Sequence, residues 1–286
     1  MARCADDDWA LLAWRGQPGV LVRPEPLAGE VTETPLPVAT ADLAPVTDGS
    51  RPTWLLLAED GQIGRFDAGS GEWDLLAIVI HRTDWNRLDI SDAATGELLS
   101  GRERTRYGQG EPRPSHYLDY FHGGLLLSPG GRWIADDGWV WHPVGVPTVW
   151  DAQAWLGDNV WESEDGPSQR ALCHRGYYWD TPMCWTGENQ LAVSGIGSDD
   201  EAMLAGVRIF DVAAGAQVAA FAGPTGALFA AGGRLYSAAA DGLEAWDPRT
   251  GQRTGTVPGF VPARHHPAAG ELAGISGAVL RRWPCG

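Results

Sequence analysis

The stretch DGLEAWDPRTG at residues 241–251 carries two turns separated by one short strand. Asp-Gly suits a tight hairpin, because Gly takes positive φ at no steric cost and Asp tolerates it. Asp247 stands where its carboxylate accepts backbone N–H groups of the following turn, and Gly251 closes that turn. The same unit recurs as DGQIGRFDAGSG at 60–71, LDISDAATG at 88–96 and GVRIFDVAAG at 206–215. Asp67 with Gly71, Asp92 with Gly96, Asp211 with Gly215 and Asp247 with Gly251 keep one spacing. Phe66, Phe210 and Trp246 precede the Asp and are large enough to anchor a strand between packed sheets. Further strands are expected over 72–79, 97–102, 216–223 and 252–259.

A second hairpin lies upstream of the first. SPGGRWIADDG (128–138), TGENQLAVSG (186–195) and AAGGRLYSAAADG (230–242) each set a Gly-containing turn before a short apolar strand. Joined in order, the two hairpins give four antiparallel strands per unit. Phe210 to Trp246 spans 36 residues and Trp246 to Trp283 spans 37, whereas Trp150 to Phe210 spans 60. A four-stranded unit with a period near 40 is the signature of an all-β propeller.

At these residues the chain resembles the WD-repeat superfamily. Ser128-Pro129-Gly130-Gly131 is similar to that family's Ser-Pro-Asp-Gly turn. Val149-Trp150-Asp151 and Ala245-Trp246-Asp247 are similar to its Trp-Asp ends. The Asp–Gly turns also resemble those of quinoprotein-type propellers, with Trp73 following the turn after Asp67. The Gly-His pair of regular WD repeats is absent, so the family's His–Asp hydrogen-bond set is not carried over. The resemblance implies a single propeller domain over 1–286 with an insertion at about 151–185. Strand ends near Val22, Phe66, Ile90, Trp150, Phe210, Trp246 and Trp283 suggest seven blades, and the short step from Phe66 to Ile90 leaves six open. The last unit reaches only its third strand at Trp283, so the N-terminal segment, at 9–23 or 30–35, is expected to complete it and close the ring.

Composition removes several functions. The 21 basic residues are all Arg, so there is no lysine for a Schiff base or a phosphate loop. A net charge of −16 argues against a nucleic-acid surface. The acidic N-terminus does not read as a secretory signal, and no long apolar run reads as a membrane span, so a cytoplasmic protein is expected. The four Cys lack zinc spacing, and no metal or cofactor is expected. Acidic runs at 6–8, 162–165 and 199–201 read as solvated loops that keep a Trp-rich chain soluble.

The region 117–185 outruns the repeat. Eight of the 15 Trp lie within 133–185, beside His122, His142 and His174. A short helix is expected over 151–160. Tyr177, Tyr178, Trp179 and Trp185 form a candidate anchor surface, rimmed by Glu162, Glu164 and Asp165. The competing reading is that the Trp side chains seal the insertion onto its blade as a satellite core. Asp119 with His122 is a candidate hydrogen-bonded pair, and Asp119, His122, Trp139, Trp141, His142 and Asp180 are candidates for a site at the channel mouth. Neither a G-x-S-x-G elbow nor a Gly-rich loop ending in Lys is present. The expected function is therefore a non-catalytic scaffold that binds a protein or peptide through one face. An enzyme or small-ligand receptor, including a carbohydrate binder, is the alternative, and the oligomeric state stays open.

Overall fold

The turns that punctuate the sequence close by the chemistry of their own residues. Asp247 Oδ1 accepts the N–H of Arg249 at 2.8 Å and of Thr250 at 3.3 Å. Gly251 N–H donates to Asp247 O at 2.8 Å from a φ of 69°. Asp211 Oδ1 accepts the Ala214 N–H at 2.9 Å, and Gly215 follows at φ 67°. Ser128 Oγ accepts the N–H groups of Arg132 and Trp133 at 3.1 and 3.0 Å, turning the chain into its next strand. The computed structural model describes residues 2–3, 9–10, 25–35, 40–48, 51–58, 63–66, 73–75, 78–92, 98–108, 110–197, 203–266, 269–276 and 279–285. The turns expected at 67–71 and 93–96, and the strand end near Val22, lie outside these residues.

Of the eight sheets among the described residues, six succeed one another along the chain as stacked units. The first joins Thr40–Asp48, Arg51–Ala58, Ile63–Phe66 and Trp73–Leu75. The second pairs Ile78–Asp84 with Arg87–Asp92, and Leu98 bridges to Ser91 at its side. Leu125–Leu127, Trp133–Asp136, Thr148–Asp151 and Arg170–Ala171 form the third. Met183–Gly187, Gln190–Ile196, Leu204–Asp211 and Ala216–Ala222 form the fourth. The fifth contains Ala227–Ala231, Arg234–Ala239, Gly242–Trp246 and Arg253–Pro258, with Glu25–Pro26 running parallel along its outer strand. The sixth contains Arg264–His266, Glu271–Ser276 and Val279–Pro284. Its fourth strand is Thr32–Pro35, antiparallel to Val279–Pro284, which is one of the two N-terminal segments expected there. The other begins differently: Trp9–Ala10 pairs with Ala2–Arg3.

Side-chain alternation explains why these sheets stack face to face. Successive residues of a strand point to opposite faces. Trp133 and Ala135 pack toward Leu191, Val193 and Phe210 of the fourth sheet, while Ile134 packs toward Leu88 and Ile90 of the second. One sheet later, Ala192 joins Val207, Ile209, Leu235 and Trp246 between the fourth and fifth sheets. Phe229, Tyr236 and Leu243 then meet Leu272 and Trp283 of the sixth. Each middle strand is therefore apolar on both faces, which is why WIA and LAV read as unbroken apolar runs. The repeating aromatics Trp150, Phe210, Trp246 and Trp283 are all buried. Trp246 Nε1 donates to Ser237 Oγ at 2.9 Å, which satisfies its only polar atom. The first strand of the sixth sheet lies against Thr40–Asp48 of the first and Ala227–Ala231 of the fifth.

The insertion carries two short helices, α1 (Ala152–Gly157) and α2 (Glu162–Asp165). Asp151 caps α1 by accepting the N–H groups of Gln153 and Ala154, so the residue expected to end a repeat strand also starts the helix. Among the described residues no helix is long and apolar enough to cross a membrane.

Candidate functional site

In an antiparallel sheet of four strands taken in order, the first-to-second and third-to-fourth turns fall at one end. The second-to-third links and the links between sheets fall at the other. The first end, the turn rim, is made of short Gly and Asp turns in the fourth and fifth sheets. The opposite end, the linker rim, is elaborated around the third sheet. There the link from Trp133–Asp136 to Thr148–Asp151 grows its own hairpin, Trp139–Val140 with Val144–Gly145, and Arg175–Gly176 adds a third strand.

A run of aromatic rings crosses this linker rim. Phe121 and Trp139 stack at 4.1 Å between centroids and 9° between planes. Their backbones fix that stack, since each N–H donates to the other's C=O at 2.8 and 2.9 Å. Trp85 joins Phe121 at 4.8 Å, and Tyr117 and then Tyr107 extend the run at 6.3 and 5.2 Å. Trp141 and Trp179 join Trp139 at 5.6 and 5.7 Å. Seven rings are thus in sequence, and most stay open to solvent. Trp141 is 66% exposed, and Tyr177, on the loop that carries Trp179, is 74% exposed.

The support beneath them is polar and buried. Arg175 donates to Asp137 Oδ1 and to Thr181 Oγ1, and the Thr181 N–H donates to Asp137 Oδ2. This clamp ties the loop 175–181 to the end of the strand Trp133–Asp136. Burial pushes the Asp137 carboxyl above its ordinary range, against the lowering influence of Arg175 and of the Thr181 N–H. Tyr120 donates its hydroxyl hydrogen to Val146 O at 2.9 Å and accepts the Gly138 N–H at 2.8 Å. Burial, reinforced by the Asp136 charge, raises its phenol well above the ordinary tyrosine value. Gly145 permits the closest approach: a Cβ there would stand 1.8 Å from Tyr178 O. Four described residues other than Gly have positive φ: His116 (59°), His142 (108°), Tyr177 (63°) and Asp180 (51°). His142, Tyr177 and Asp180 belong to this rim, and His116 adjoins Tyr117 of the ring run. Such conformations cost energy and cluster where a surface is shaped for use.

Several expectations are corrected. His122 Nδ1 lies 2.6 Å from Asp136 Oδ2 with both side chains sealed from solvent, so Asp136 and not Asp119 is its partner. Asp119 itself is exposed at the rim. Trp185 is only 8% exposed, belongs to the core between the third and fourth sheets, and donates its Nε1 to Leu126 O. It is a packing residue, unlike Tyr177, Tyr178 and Trp179. Glu162 and Glu164 are buried and do not form a solvated polar rim. Glu162 accepts from Ser168 and from Asn159, while Glu164 pairs with Arg102. Arg102 also donates to Asp89 at 2.6 Å. Burial would raise Asp89, but the hydrogen bonds from Arg87 and Thr83 and the Arg102 charge hold it below the ordinary carboxylate range. Asp165 remains exposed and faces His116 at 2.7 Å.

Trp139, Trp141, His142, Tyr177, Tyr178, Trp179 and Asp180 come together on the linker rim. Sequence reading missed Trp85, Tyr107, Tyr117 and Phe121 as their neighbours, and the Asp137–Arg175 clamp below them. The dense aromatic spelling YLDYFHGG was the available signal for Tyr117 and Phe121. Nothing local marks Trp85, which sits on a turn of the second sheet.

No family model and no curated protein matches the chain. A gluconolactonase structure from Xanthomonas campestris is similar over 90% of this chain and 89% of its own, at 16% identity and a TM-score of 0.53. A structure of the mitotic checkpoint complex aligns over 96% of this chain and 98% of its own, at 16% identity and a TM-score of 0.48. The first likeness, with the succession of four-stranded antiparallel sheets, shows a propeller-type fold.

Proposed function

We propose that this chain is a non-catalytic binding module that takes a protein or peptide partner on its linker rim. The observation that carries the reading is the exposed ring run from Tyr107 to Trp179, held from below by the Asp137–Arg175 clamp. Aromatic side chains dominate binding energy at interfaces because they bury large areas while losing little rotamer freedom. A rigid backbone beneath them lowers the ordering cost of association. The histidine that could have served as a general base, His122, is sealed against Asp136, which favours binding over catalysis. We also read the six sheets as one closed ring, because the sixth lies against both the fifth and the first.

The test is capture of partners on immobilised protein, wild type beside a Trp141→Ser, Tyr177→Ser variant whose circular dichroism matches wild type. A stoichiometric partner kept by wild type and lost by the variant is the expected result. A partner held equally by both proteins refutes the assignment of the linker rim.

A further inference from the structure

The tryptophans of this chain divide by what their indole N–H does. In the core, Trp133 donates to Asn189 Oδ1 at 3.0 Å, Trp155 to Val160 O at 3.2 Å, Trp185 to Leu126 O at 3.2 Å and Trp246 to Ser237 Oγ at 2.9 Å. The N–H groups of Trp150 and Trp283 are enclosed without an acceptor. On the linker rim the order is reversed. Trp85, Trp139, Trp141 and Trp179 keep ring surface open to solvent, and none of their indole N–H groups meets an acceptor among the described residues. An indole N–H donates and cannot accept. The rim is therefore a row of apolar ring faces edged with unused donors.

A fitting ligand brings flat apolar groups and free carbonyl oxygens. A helix has spent its carbonyls on its own N–H groups, and a strand brings an N–H for every C=O, which donors cannot receive. A polyproline II segment has no internal hydrogen bonds, so its carbonyls are free, and its prolines carry no N–H. Its conformation is also set beforehand, which lowers the ordering cost on an aromatic surface. Charge adds a direction. At the tyrosine end of the run Arg113 lies over the Tyr117 ring at 5.7 Å. At the other end Asp180 stands exposed beside Trp179 and makes no ion pair among the described residues.

We propose that the linker rim binds a proline-rich segment in polyproline II conformation that carries an arginine. Its prolines lie on the ring faces, its carbonyls accept the free indole N–H groups, and its guanidinium pairs with Asp180. This rests on the linker rim being the binding surface, and it names the chemistry of the partner.

The experiment is calorimetric titration with a blocked decapeptide, one arginine followed by three proline–proline–alanine triplets. The peptide is expected to bind, and its counterpart with alanine at every proline to bind at least about tenfold more weakly. Trp141→Phe keeps a ring and removes one donor, and is expected to weaken binding about fivefold, the size of one hydrogen bond. Asp180→Asn is expected to weaken the arginine peptide about threefold, the size of an exposed ion pair, and to leave a version with glutamine for arginine unchanged. No binding of the arginine peptide at millimolar concentration overturns the proposal. So does equal binding by the alanine counterpart, or by the Trp141→Ser, Tyr177→Ser variant. Binding of cellohexaose without the peptide also overturns it, by assigning the rim to a sugar. If the peptide fails while a captured partner is still lost by the Trp141→Ser, Tyr177→Ser variant, the proline chemistry falls and the rim stands. A captured partner held equally by both proteins removes the rim itself.

Discussion

The two rims of the same sheets are built by opposite means. On the turn rim, conformation is set within a few residues: Asp247 accepts the N–H groups of Arg249 and Thr250, and Gly251 supplies positive φ. On the linker rim, positive φ falls on His142, Tyr177 and Asp180, which have no intrinsic preference as strong as that of Gly. Tyr177 and Asp180 lie on the loop that Arg175 and Thr181 tie to Asp137, with Arg175 reaching across 38 residues of sequence. A locally coded turn tolerates changes around it. A surface held by one buried ion pair depends on that pair.

The largest expected effect tests that dependence. Arg175→Ala leaves Asp137 buried without its cation and should cost about 3–5 kcal/mol in urea unfolding, whereas Arg249→Ala on the turn rim should change stability by less than about 0.5 kcal/mol. Equal losses would erase the distinction between the rims. Next in size is Gly145→Ala, whose new methyl group collides with Tyr178 O. It should cost about 1–3 kcal/mol and, in the same protein, release Trp179 from Trp139 as a change in near-ultraviolet circular dichroism. An unchanged spectrum would show that the 175–181 loop does not need this close approach.

The smallest effect is electrostatic and opposite in sign on the two rims. Burial raises Asp137, so its folded state holds a proton more readily than the unfolded chain. Its stabilising increment is present below the ordinary carboxylate value and is lost as pH rises through the raised one. The Arg249 N–H, foremost among the turn's hydrogen bonds, lowers Asp247. Its increment is present above the ordinary value and is lost as pH falls through the lowered one. Carboxyl carbon NMR should place the Asp137 midpoint above that of a free Asp, and the Asp247 midpoint below it. Coincident midpoints would contradict both assignments.

The same contrast decides what the sequence disclosed. Strand alternation in WIAD and QLAV, the Asp–Gly turns and the buried aromatics at 150, 210, 246 and 283 depend on spacing within one unit, and they were legible. The run 162–165 was not. Read alone it is a solvated acidic stretch, but Arg102, 62 residues earlier, draws Glu164 into the interior. Trp85 likewise becomes part of the ring run only because the second sheet is set beside the third. Asp119, three residues away in sequence, was the partner expected for His122, and only the folded chain, invisible in composition, brings Asp136 to it instead.

The pairing of Thr32–Pro35 with Val279–Pro284 joins residues about 250 positions apart in the chain. At a synthesis rate of about 5–20 residues per second, the early strand waits on the order of ten to fifty seconds before its partner exists. For most of that interval the sixth sheet lacks all its other strands, since they lie together at 264–284. Completion of this sheet therefore waits on a strand made about 250 residues later, and an early segment is fastened by a much younger one.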